Sequence, residues 1–149
     1  MENYTQDSLF AKETERLVPL AERMRPTLLS EFIGQKHIIG DNSLLSRSII
    51  ADRVSSCIFW GAPGTGKTTL ANIISNATSG NFVKLNAVSS GVADAKKVIE
   101  DATVQFRRYG KRTYLMLDEC HRWSKAQSDC VLQAIETGII IFIGSTTEN

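Results

Sequence analysis

The stretch GAPGTGKTT at positions 61–69 combines three glycines, one lysine and three hydroxyl side chains. It fits the pattern G-x-x-x-x-G-K-[ST], in which Gly61, Gly66, Lys67 and Thr68 occupy the fixed positions. Glycines let backbone N–H groups turn inward around an anion, and a helix that starts here points its positive end at the same place. The stretch therefore predicts a loop that binds the phosphate groups of a nucleotide.

The flanks of this loop favour that prediction, because an apolar, strand-like run precedes it and a helix-like run follows it. Lys67 is expected to reach the β- and γ-phosphates of ATP, and Thr68 to offer its hydroxyl group to Mg²⁺. The predicted nucleotide-binding residues of the loop are Gly61, Ala62, Pro63, Gly64, Thr65, Gly66, Lys67, Thr68 and Thr69. The alternative interpretation is a glycine-rich turn that carries a surface lysine.

A second candidate element is YLMLDEC, in which an apolar run ends in two acids, Asp118 and Glu119. Parallel sheets place their sites at the C-terminal ends of the strands. Asp118 suits a position near the metal, usually through water, and Glu119 suits a base that orients and polarises an attacking water. A pair of acids favours hydrolysis over transfer to a bound acceptor, because the second acid needs a water to act on. The alternative is a strand end with two solvated acids.

A third candidate element is FIGSTTEN, where another apolar run ends in polar residues. Thr146 and Thr147 are expected to lie beside the acid pair. A hydroxyl group there can sense the γ-phosphate or hold the water. The spacing is equally compatible with simple turn chemistry, and it does not distinguish the two interpretations.

Short apolar runs that alternate with helical patterns would position these residues. The predicted strands are CIFWG, FVKLNA, TYLMLD and IIIFIGS, each expected to be buried. The predicted helices are SLLSRSIIADR with Ser43 as N-cap, KTTLANIISNATSG closed by Gly80, VADAKKVIEDATVQFRRYG with Gly110 at its end, and SKAQSDCVLQAIETG with a capping box of Ser124 and Gln127. Apolar strands that alternate with helices predict an α/β fold of three layers, with a parallel sheet covered on both faces.

Composition sets the broad class. The chain has 149 residues, enough for one domain with a core, and a net charge of +1, which gives no overall field for or against nucleic acid. Its three cysteines form no C-x-x-C pair and suit a reducing compartment. No apolar stretch is long enough to span a membrane, and the N-terminus is unlike a signal peptide. We therefore expect a soluble intracellular protein, cytoplasmic and nucleoid-associated if the source is bacterial.

Several stretches together resemble a known family. GAPGTGKTT, LMLDE and IGSTTEN, in this order, resemble an AAA+ ATPase, and PLAERMRPTLLSEFIGQKHIIG resembles the adenine-side segment of clamp loaders. LNAVSSGVADAKKVIEDA and DECHRWSKAQSD are more particular and resemble the replication-associated recombination protein A family, whose eukaryotic counterpart is the Werner-helicase-interacting protein. The family usually has phenylalanine and asparagine where this chain has Trp123 and Ser124. The resemblance covers residues 17–149.

The resemblance implies a P-loop core that uses ATP and Mg²⁺, with Lys67, Glu119 and Thr147 as catalytic residues and Thr147 as the sensor threonine. It implies that Thr68 and Asp118 hold the metal. It also implies that an adenine pocket is lined by Pro26, Ile33 and Gly34. Partners implied for the full-length protein are ATP or ADP, DNA forks, ends or gaps, single-strand-binding protein or other replisome proteins, and further copies of itself.

The same resemblance predicts how the chain is divided. Residues 1–16 are expected to be a flexible arm and residues 17–149 a partial AAA+ domain, as in an N-terminal fragment. In the family a fifth strand, a trans-acting arginine, a helical lid and an oligomerisation domain follow. Sheets of the family are ordered 5-1-4-3-2, so a sheet without the fifth strand is expected to expose the strand at residues 57–61 as an edge. The chain by itself is expected to hydrolyse ATP poorly.

Two functions from different classes fit these features. The first is the ATP-binding core of a DNA-dependent AAA+ ATPase that acts in replication-fork maintenance, recombination and repair. The second is a nucleotide-dependent interaction module that is recruited to replication proteins and hydrolyses little. Glu119 favours the first, because a binding switch needs no water-polarising acid. A small-molecule kinase is a third interpretation, but no acceptor-binding segment is evident.

Smaller features near the acid pair allow two interpretations each. His121 could contact DNA or relay between the site and the turn, although capping of local carbonyls is favoured. Cys120 is expected to be a small core residue and not a nucleophile. The basic residues Arg107, Arg108, Lys111 and Arg112 follow one another at a helix end, where they complement the helix dipole or contact phosphates.

Overall fold

A computed structural model of the protein describes residues 18–148. The predicted arm at residues 1–16 lies outside the described residues. The helices are α1 (Leu20–Arg23), α2 (Lys36–Ile39), α3 (Leu44–Ile50), α4 (Lys67–Ala77), α5 (Val92–Tyr109) and α6 (Lys125–Glu136). The strands are β1 (Cys57–Trp60), β2 (Asn81–Asn86), β3 (Thr113–Asp118) and β4 (Ile140–Thr146). Two short 3-10 turns cover Leu29–Glu31 and Cys120–Arg122.

The four strands form one parallel sheet in the order β1-β4-β3-β2. This confirms the predicted α/β fold, and the order agrees with the family order for these four strands. The register pairs Trp60 with Thr146 and Asn86 with Asp118. Because all strands run in the same direction, the ends of β1, β3 and β4 meet at one edge of the sheet, where the candidate residues follow.

Two apolar layers cover the sheet, one on each face. On one face, α3 and α4 pack Ile49 and Ile74 against Met116 and Ile143 of the strands. On the other face, α5 and α6 pack a second cluster against β3 and β4, which includes Ala95, Val98, Ala102, Leu115, Val131, Ala134 and Ile140. The strand β3 is buried from Thr113 to Leu117, because it is central and has helices on both sides.

The predicted helix caps are confirmed. Ser43 accepts a hydrogen bond from the backbone N–H of Ser46 at 3.1 Å and starts α3. Ser124 and Gln127 form the reciprocal capping box of α6, with distances of 2.9 and 3.3 Å. Gly110 ends α5 in the left-handed region at φ +65°. These interactions lie within a few residues, so the sequence pattern is sufficient to predict them.

The end of α4 differs from the prediction. The helix stops at Ala77 and its C-cap is Thr78 in an extended conformation, so Gly80 does not close it. Gly80 has another reason to be glycine. A Cβ atom there would lie 2.8 Å from the carbonyl oxygen of Arg112 and from the ring of Tyr114. Close approach of two chain segments at the start of β2 therefore requires glycine at this position.

Strand β1 lies at an edge of the sheet, as the resemblance predicts, but it is not buried as its apolar run predicts, since only one of its faces is covered. Ile58 and Trp60 are 60% and 61% exposed, while Cys57 and Phe59 are half-buried. Among the described residues, β1 pairs only with β4, and the helices on the face of Ile58 contact β3 and β4. The edge position of β1 is the reason that its apolar residues are not all buried.

Several apolar residues of α5 and α6 remain exposed. Phe106 and Tyr109 of α5 are 37% and 65% exposed, and Leu132 of α6 is 49% exposed. The buried positions of these helices are occupied mainly by small residues, such as Ala95 and Ala134, which let the helices approach the sheet closely. Within residues 18–148, no helix has the length and apolar character needed to cross a membrane.

Candidate active site

The predicted phosphate loop lies between β1 and α4, at the C-terminal edge of the sheet. Gly64 and Gly66 have φ angles of +77° and +94°, which residues with a Cβ atom rarely adopt. Gly66 is the N-cap of α4 and offers no side-chain acceptor to the first turn of the helix. The N–H groups of that turn are therefore available to an anion, as in helix N-termini that bind phosphate.

The side chain of Lys67 folds back over the loop. Its Nζ donates to the carbonyl oxygens of Gly61 at 2.6 Å and Ala62 at 2.8 Å. Thr65 also donates to the carbonyl oxygen of Ala62, at 2.8 Å. The ammonium group is thus held within the concave side of the loop, close to where the pattern expects the phosphates.

The other loop residues have different surroundings. Pro63 is exposed, and Thr68 and Thr69 are half-buried in the first turn of α4. Gly66 packs against Phe32, since a Cβ atom at Gly66 would lie 2.6 Å from the phenyl ring. The segment before α2 therefore contacts the phosphate loop through an aromatic side chain, which the sequence analysis did not single out.

A cavity of about 490 Å³ lies beside the loop, and Phe32 and Ile38 line it on one side. The predicted adenine residues lie elsewhere. Ile33 is 95% exposed, and Pro26 lines a separate cleft. Gly34 takes a turn conformation at φ +96° and is exposed. The structure does not bring these three residues to the cavity, and their contact with adenine stays a prediction.

A larger cavity of about 780 Å³ lies at the opposite end of the strands, away from the loop. Its lining includes Arg53, Lys111 and Arg112, with Asp52 at one side. Neither the phosphate loop nor the acid pair contributes to it. Size alone therefore does not identify the site, and we assign the chemistry to the edge that carries the loop. Lys111 and Arg112 line this cavity and lie just beyond the end of α5.

Asp118 ends β3 and is held in place by its neighbours. Its Oδ1 accepts a short hydrogen bond from the hydroxyl of Ser145 and another from the backbone N–H of Glu119 at 3.2 Å. Ser145 is fully buried in β4. Ser145 is not among the predicted site residues, although its place in the polar end of FIGSTTEN was the available signal. Its contact with Asp118 depends on the register of β3 and β4, which pairs Leu117 with Gly144.

Glu119 has an unusual backbone conformation. Its φ angle is +54°, in the left-handed region, and it precedes the 3-10 turn Cys120–Arg122. Non-glycine residues in this region cost on the order of 1 kcal/mol or more, and such positions cluster at functional sites. The side chain is about one-third exposed, at 34%, so water can reach its carboxylate.

The end of β4 joins the acid pair to the phosphate loop. The carbonyl oxygen of Thr146 accepts from the backbone N–H of Gly61 at 3.2 Å. Thr146 is buried, and its hydroxyl contacts Nδ1 of His121 at 2.8 Å. Thr147 follows the strand and is half-buried. Thr146 therefore lies beside the acid pair as expected, and the sensor role of Thr147 stays a prediction.

His121 does not cap carbonyl groups, so the favoured interpretation of this residue is wrong. Besides Thr146, its ring approaches two carboxylates: Nε2 lies 3.5 Å from Glu119 Oε2 and 3.6 Å from Glu148 Oε1. Its side chain is only 15% exposed. His121 is two residues from Glu119 in the sequence. Its contact with Thr146 spans 25 positions and exists because the sheet brings the end of β4 next to the end of β3.

Cys120 and Cys57 are partly buried, and the pKa of each thiol is raised. Burial raises the pKa of the Cys120 thiol, and the negative charges of Glu119 and Asp118 raise it further. Burial alone raises the pKa of Cys57 to about 11. Because the thiolate is the nucleophile, these shifts agree with the prediction that Cys120 does not act in chemistry.

The residues at this edge fit the predicted magnesium ion. Among residues 18–148, no three His, Cys, Asp or Glu side chains gather as a metal cage. Mg²⁺ does not require one, because it keeps several waters and is usually bound by one or two protein groups and the substrate phosphates. Thr68 at the start of α4 and Asp118 at the end of β3 are oxygen ligands of that kind.

Three features define the class of this protein, the P-loop ATPases of the AAA+ type. They are the parallel sheet in the order β1-β4-β3-β2, the phosphate loop after β1 and the two acids after β3. The chain belongs to the family described as the Holliday junction DNA helicase RuvB P-loop domain, whose profile matches residues 24–148.

The resemblance to the replication-associated recombination protein A family is confirmed. The protein of that name from Haemophilus influenzae is 47% identical over 131 residues, and the one from Escherichia coli K12 is 48% identical over 131 residues. Both alignments cover 88% of this chain and 29% of the relative. The ATPase WRNIP1 of Dictyostelium discoideum is 49% identical over 133 residues, which are 88% of this chain and 15% of that protein.

Solved structures agree with these relatives. The Thermotoga maritima RuvB Holliday junction branch migration motor matches with a TM-score of 0.68 and 29% identity, over 84% of this chain and 42% of the other. A Thermotoga maritima RuvB variant with a lysine-to-arginine substitution matches with a TM-score of 0.67 and 27% identity, over 85% and 43%. The chain spans under a third of the curated relatives and under half of the RuvB chains.

Proposed function

We propose that residues 17–149 bind ATP with Mg²⁺ and supply the residues that hydrolyse it, as the nucleotide-binding core of a DNA-dependent AAA+ ATPase that is active at its full natural length and nearly inactive as this segment alone. The proposed roles are replication-fork maintenance, recombination and repair. The observation that carries the proposal is the convergence of three segments: the backbone of Gly61 bonds to Thr146, and Thr146 contacts His121 beside Glu119. The phosphate loop and a water-accessible carboxylate thus share one edge of the sheet.

The chain's own residues suggest how ATP would be bound. Lys67 rests on two carbonyl oxygens, and a phosphate would replace them with a charge-assisted contact of greater strength. The first-turn N–H groups of α4 have no side-chain cap and would donate to the same phosphates. Phe32 and the cavity beside it would take the apolar part of the nucleotide, together with Ile33 and Gly34 if the segment moves on binding.

The two acids would have different roles in hydrolysis, metal binding for Asp118 and proton transfer for Glu119. Asp118, held by Ser145, would join Thr68 in holding Mg²⁺, and the ion would supply positive charge that stabilises the charge developing on the phosphates. Glu119 would accept a proton from the attacking water, because its carboxylate is partly exposed and directed by a left-handed backbone. Thr147 would sense the γ-phosphate from the end of β4.

Names of the relatives suggest the biological setting. The relatives are named for replication-associated recombination and for Holliday junction branch migration. We propose DNA forks, ends or gaps as partners of the protein at its full length, with a homo-oligomer as the working form. Single-strand-binding protein or other replisome proteins are further proposed partners, and a bacterial source would make the location cytoplasmic and nucleoid-associated.

The test is steady-state phosphate release by the protein at its full natural length, with and without DNA ends, together with binding of a fluorescent ATP analogue. Turnover that increases with DNA is the expected result. Binding without turnover under both conditions would overturn the hydrolysis proposal and favour the nucleotide-dependent interaction module. Equal turnover with and without DNA would overturn the DNA-dependent part alone.

A further inference from the structure

We infer that His121 is a positioning residue that holds the carboxylate of Glu119 and links it to Thr146 at the end of β4. The inference rests on the proposed function, because it assigns Glu119 as the base. It concerns a side chain for which the sequence favoured capping of local carbonyls over a role at the site.

The first support is the geometry of the ring. Its two nitrogen atoms face two different elements: Nδ1 contacts the Thr146 hydroxyl at 2.8 Å, and Nε2 lies 3.5 Å from Glu119 Oε2. An imidazole ring is rigid, so a contact at one nitrogen fixes the direction of the other. With 15% of its side chain exposed, His121 has little freedom to leave this orientation.

The second support is the hydrogen-bond pattern around Thr146. Its hydroxyl accepts from the backbone N–H of Glu148 at 3.0 Å, and its own proton has two acceptors in reach: the carbonyl oxygen of Glu148 at 3.1 Å and the nearer Nδ1 of His121 at 2.8 Å. A ring that accepts at Nδ1 carries its proton at Nε2, which faces the carboxylates of Glu119 and Glu148. We assign the tautomer with the proton on Nε2 from these contacts, because the Nε2–H group is then the donor that faces both carboxylates.

The third support is the position of Thr146 itself. Its backbone carbonyl is bonded to Gly61 at the start of the phosphate loop, while its side chain contacts His121. A shift of β4 or of the loop therefore changes the contact that orients His121. Because Glu119 sits on a left-handed turn with a partly exposed side chain, it needs such a contact to keep one direction.

The experiment compares His121→Ala and His121→Gln with wild type in the protein at its full natural length. We expect His121→Ala to lower kcat by about tenfold or more, since small misplacement of a catalytic group has effects of that order. The affinity for a fluorescent ATP analogue should stay within about twofold. His121→Gln keeps an N–H donor and should recover part of the rate. The matched control is Gln133→Ala, at an exposed residue of α6 outside the site.

A double-mutant comparison separates positioning from general damage. If His121 acts through Glu119, His121→Ala should lower kcat much less in a Glu119→Gln background than in wild type. Equal fold losses in both backgrounds, or wild-type kcat in His121→Ala, would overturn the inference. Failure of the proposed function looks different: Glu119→Gln alone would then hydrolyse ATP at the wild-type rate.

A second variant tests the other contact of the ring. Thr146→Val removes the hydroxyl that faces Nδ1 and should lower kcat as His121→Ala does, with the affinity for the ATP analogue retained. Wild-type kcat in Thr146→Val would overturn the link between β4 and the base. Circular dichroism melting of each variant shows whether a loss of rate reflects unfolding.

Discussion

Lys67 donates from its Nζ to the carbonyl oxygen of Gly61 at 2.6 Å, across the phosphate loop that both residues delimit. A second bond, to Ala62 at 2.8 Å, completes the contact. The ammonium group is therefore held against the backbone of the loop. This arrangement makes Lys67 the residue at which the nucleotide prediction is most directly tested.

Lys67→Ala should lower the affinity for ATP by about tenfold or more, because it removes a charge-assisted contact to phosphate worth about 1.5–3 kcal/mol. Titration of a fluorescent ATP analogue measures the change. Lys97→Ala, at an exposed position of α5, is the matched control for loss of one positive charge. Equal affinities of wild type and Lys67→Ala, with both proteins folded, would show that the loop does not hold the phosphates.

Glu119→Gln should keep ATP binding and lower turnover by about 10²–10⁴-fold in the protein at its full natural length, because an amide keeps the shape but cannot act as a base. Asp118→Asn should instead weaken the Mg²⁺ dependence of binding. Nucleotide titration with and without Mg²⁺, next to phosphate release, distinguishes the two. The acid pair is misassigned if Glu119→Gln retains the wild-type rate while Asp118→Asn retains the wild-type response to Mg²⁺.

Cys57 should react slowly with a thiol reagent in the native protein at about pH 8. Burial raises its pKa from 9.0 to about 11, which lowers the thiolate fraction about a hundredfold, and the greater nucleophilicity of a more basic thiolate offsets only part of this. We expect alkylation at least about tenfold slower than in urea, measured by mass spectrometry of the Cys57 peptide. A native rate equal to the rate in urea would contradict the burial of this side chain.

Ile58→Thr should reduce association of the 149-residue chain, because Ile58 is 60% exposed on the edge strand β1. Threonine is also β-branched and keeps the strand preference while removing apolar surface. Val88→Thr, at a residue 66% exposed outside the strands, is the matched control and should change association little. Sedimentation over a concentration series measures the effect. If wild type and Ile58→Thr associate equally, the edge is not an association surface.

Asp52→Asn should lower stability at neutral pH and have a smaller effect at acid pH. The hydroxyl of Ser79 donates to Asp52 and, with Thr78, holds its pKa below the usual value. A depressed pKa gives stability that is present above the unfolded pKa, near about 4, and is lost as pH falls through the folded value. Because Asp52 is exposed, screening should keep the difference below about 1 kcal/mol.

Denaturant unfolding of wild type and Asp52→Asn at about pH 7 and about pH 2.5 measures that difference. Asparagine is a fair substitute because Asp52 has a φ angle of +50°, a conformation that asparagine tolerates. Asp101→Asn, at an exposed position of α5, serves as the control for loss of one negative charge. A destabilisation of equal size at both pH values would rule out the ionised hydrogen bonds as its source.

Features that depend on a few neighbouring residues could be predicted from the sequence. The phosphate loop, the caps at Ser43 and Ser124 and the glycine end of α5 at Gly110 follow from local hydrogen bonds and backbone preferences, which the pattern states directly. Apolar runs between helical patterns were enough to predict a parallel α/β sheet, because its two central strands, β3 and β4, are buried over most of their length.

The meeting of distant residues was decided by the tertiary structure. Ser145 reaches Asp118 across 27 positions, and His121 reaches Thr146 across 25, because the order and register of the strands align their ends. The exposure of Ile58 depends on β1 lying at the sheet edge, which the family resemblance predicts but the apolar run itself does not reveal. The physical reason is that register and strand order are set by packing of the whole sheet, while a local pattern reports only the preference of each segment.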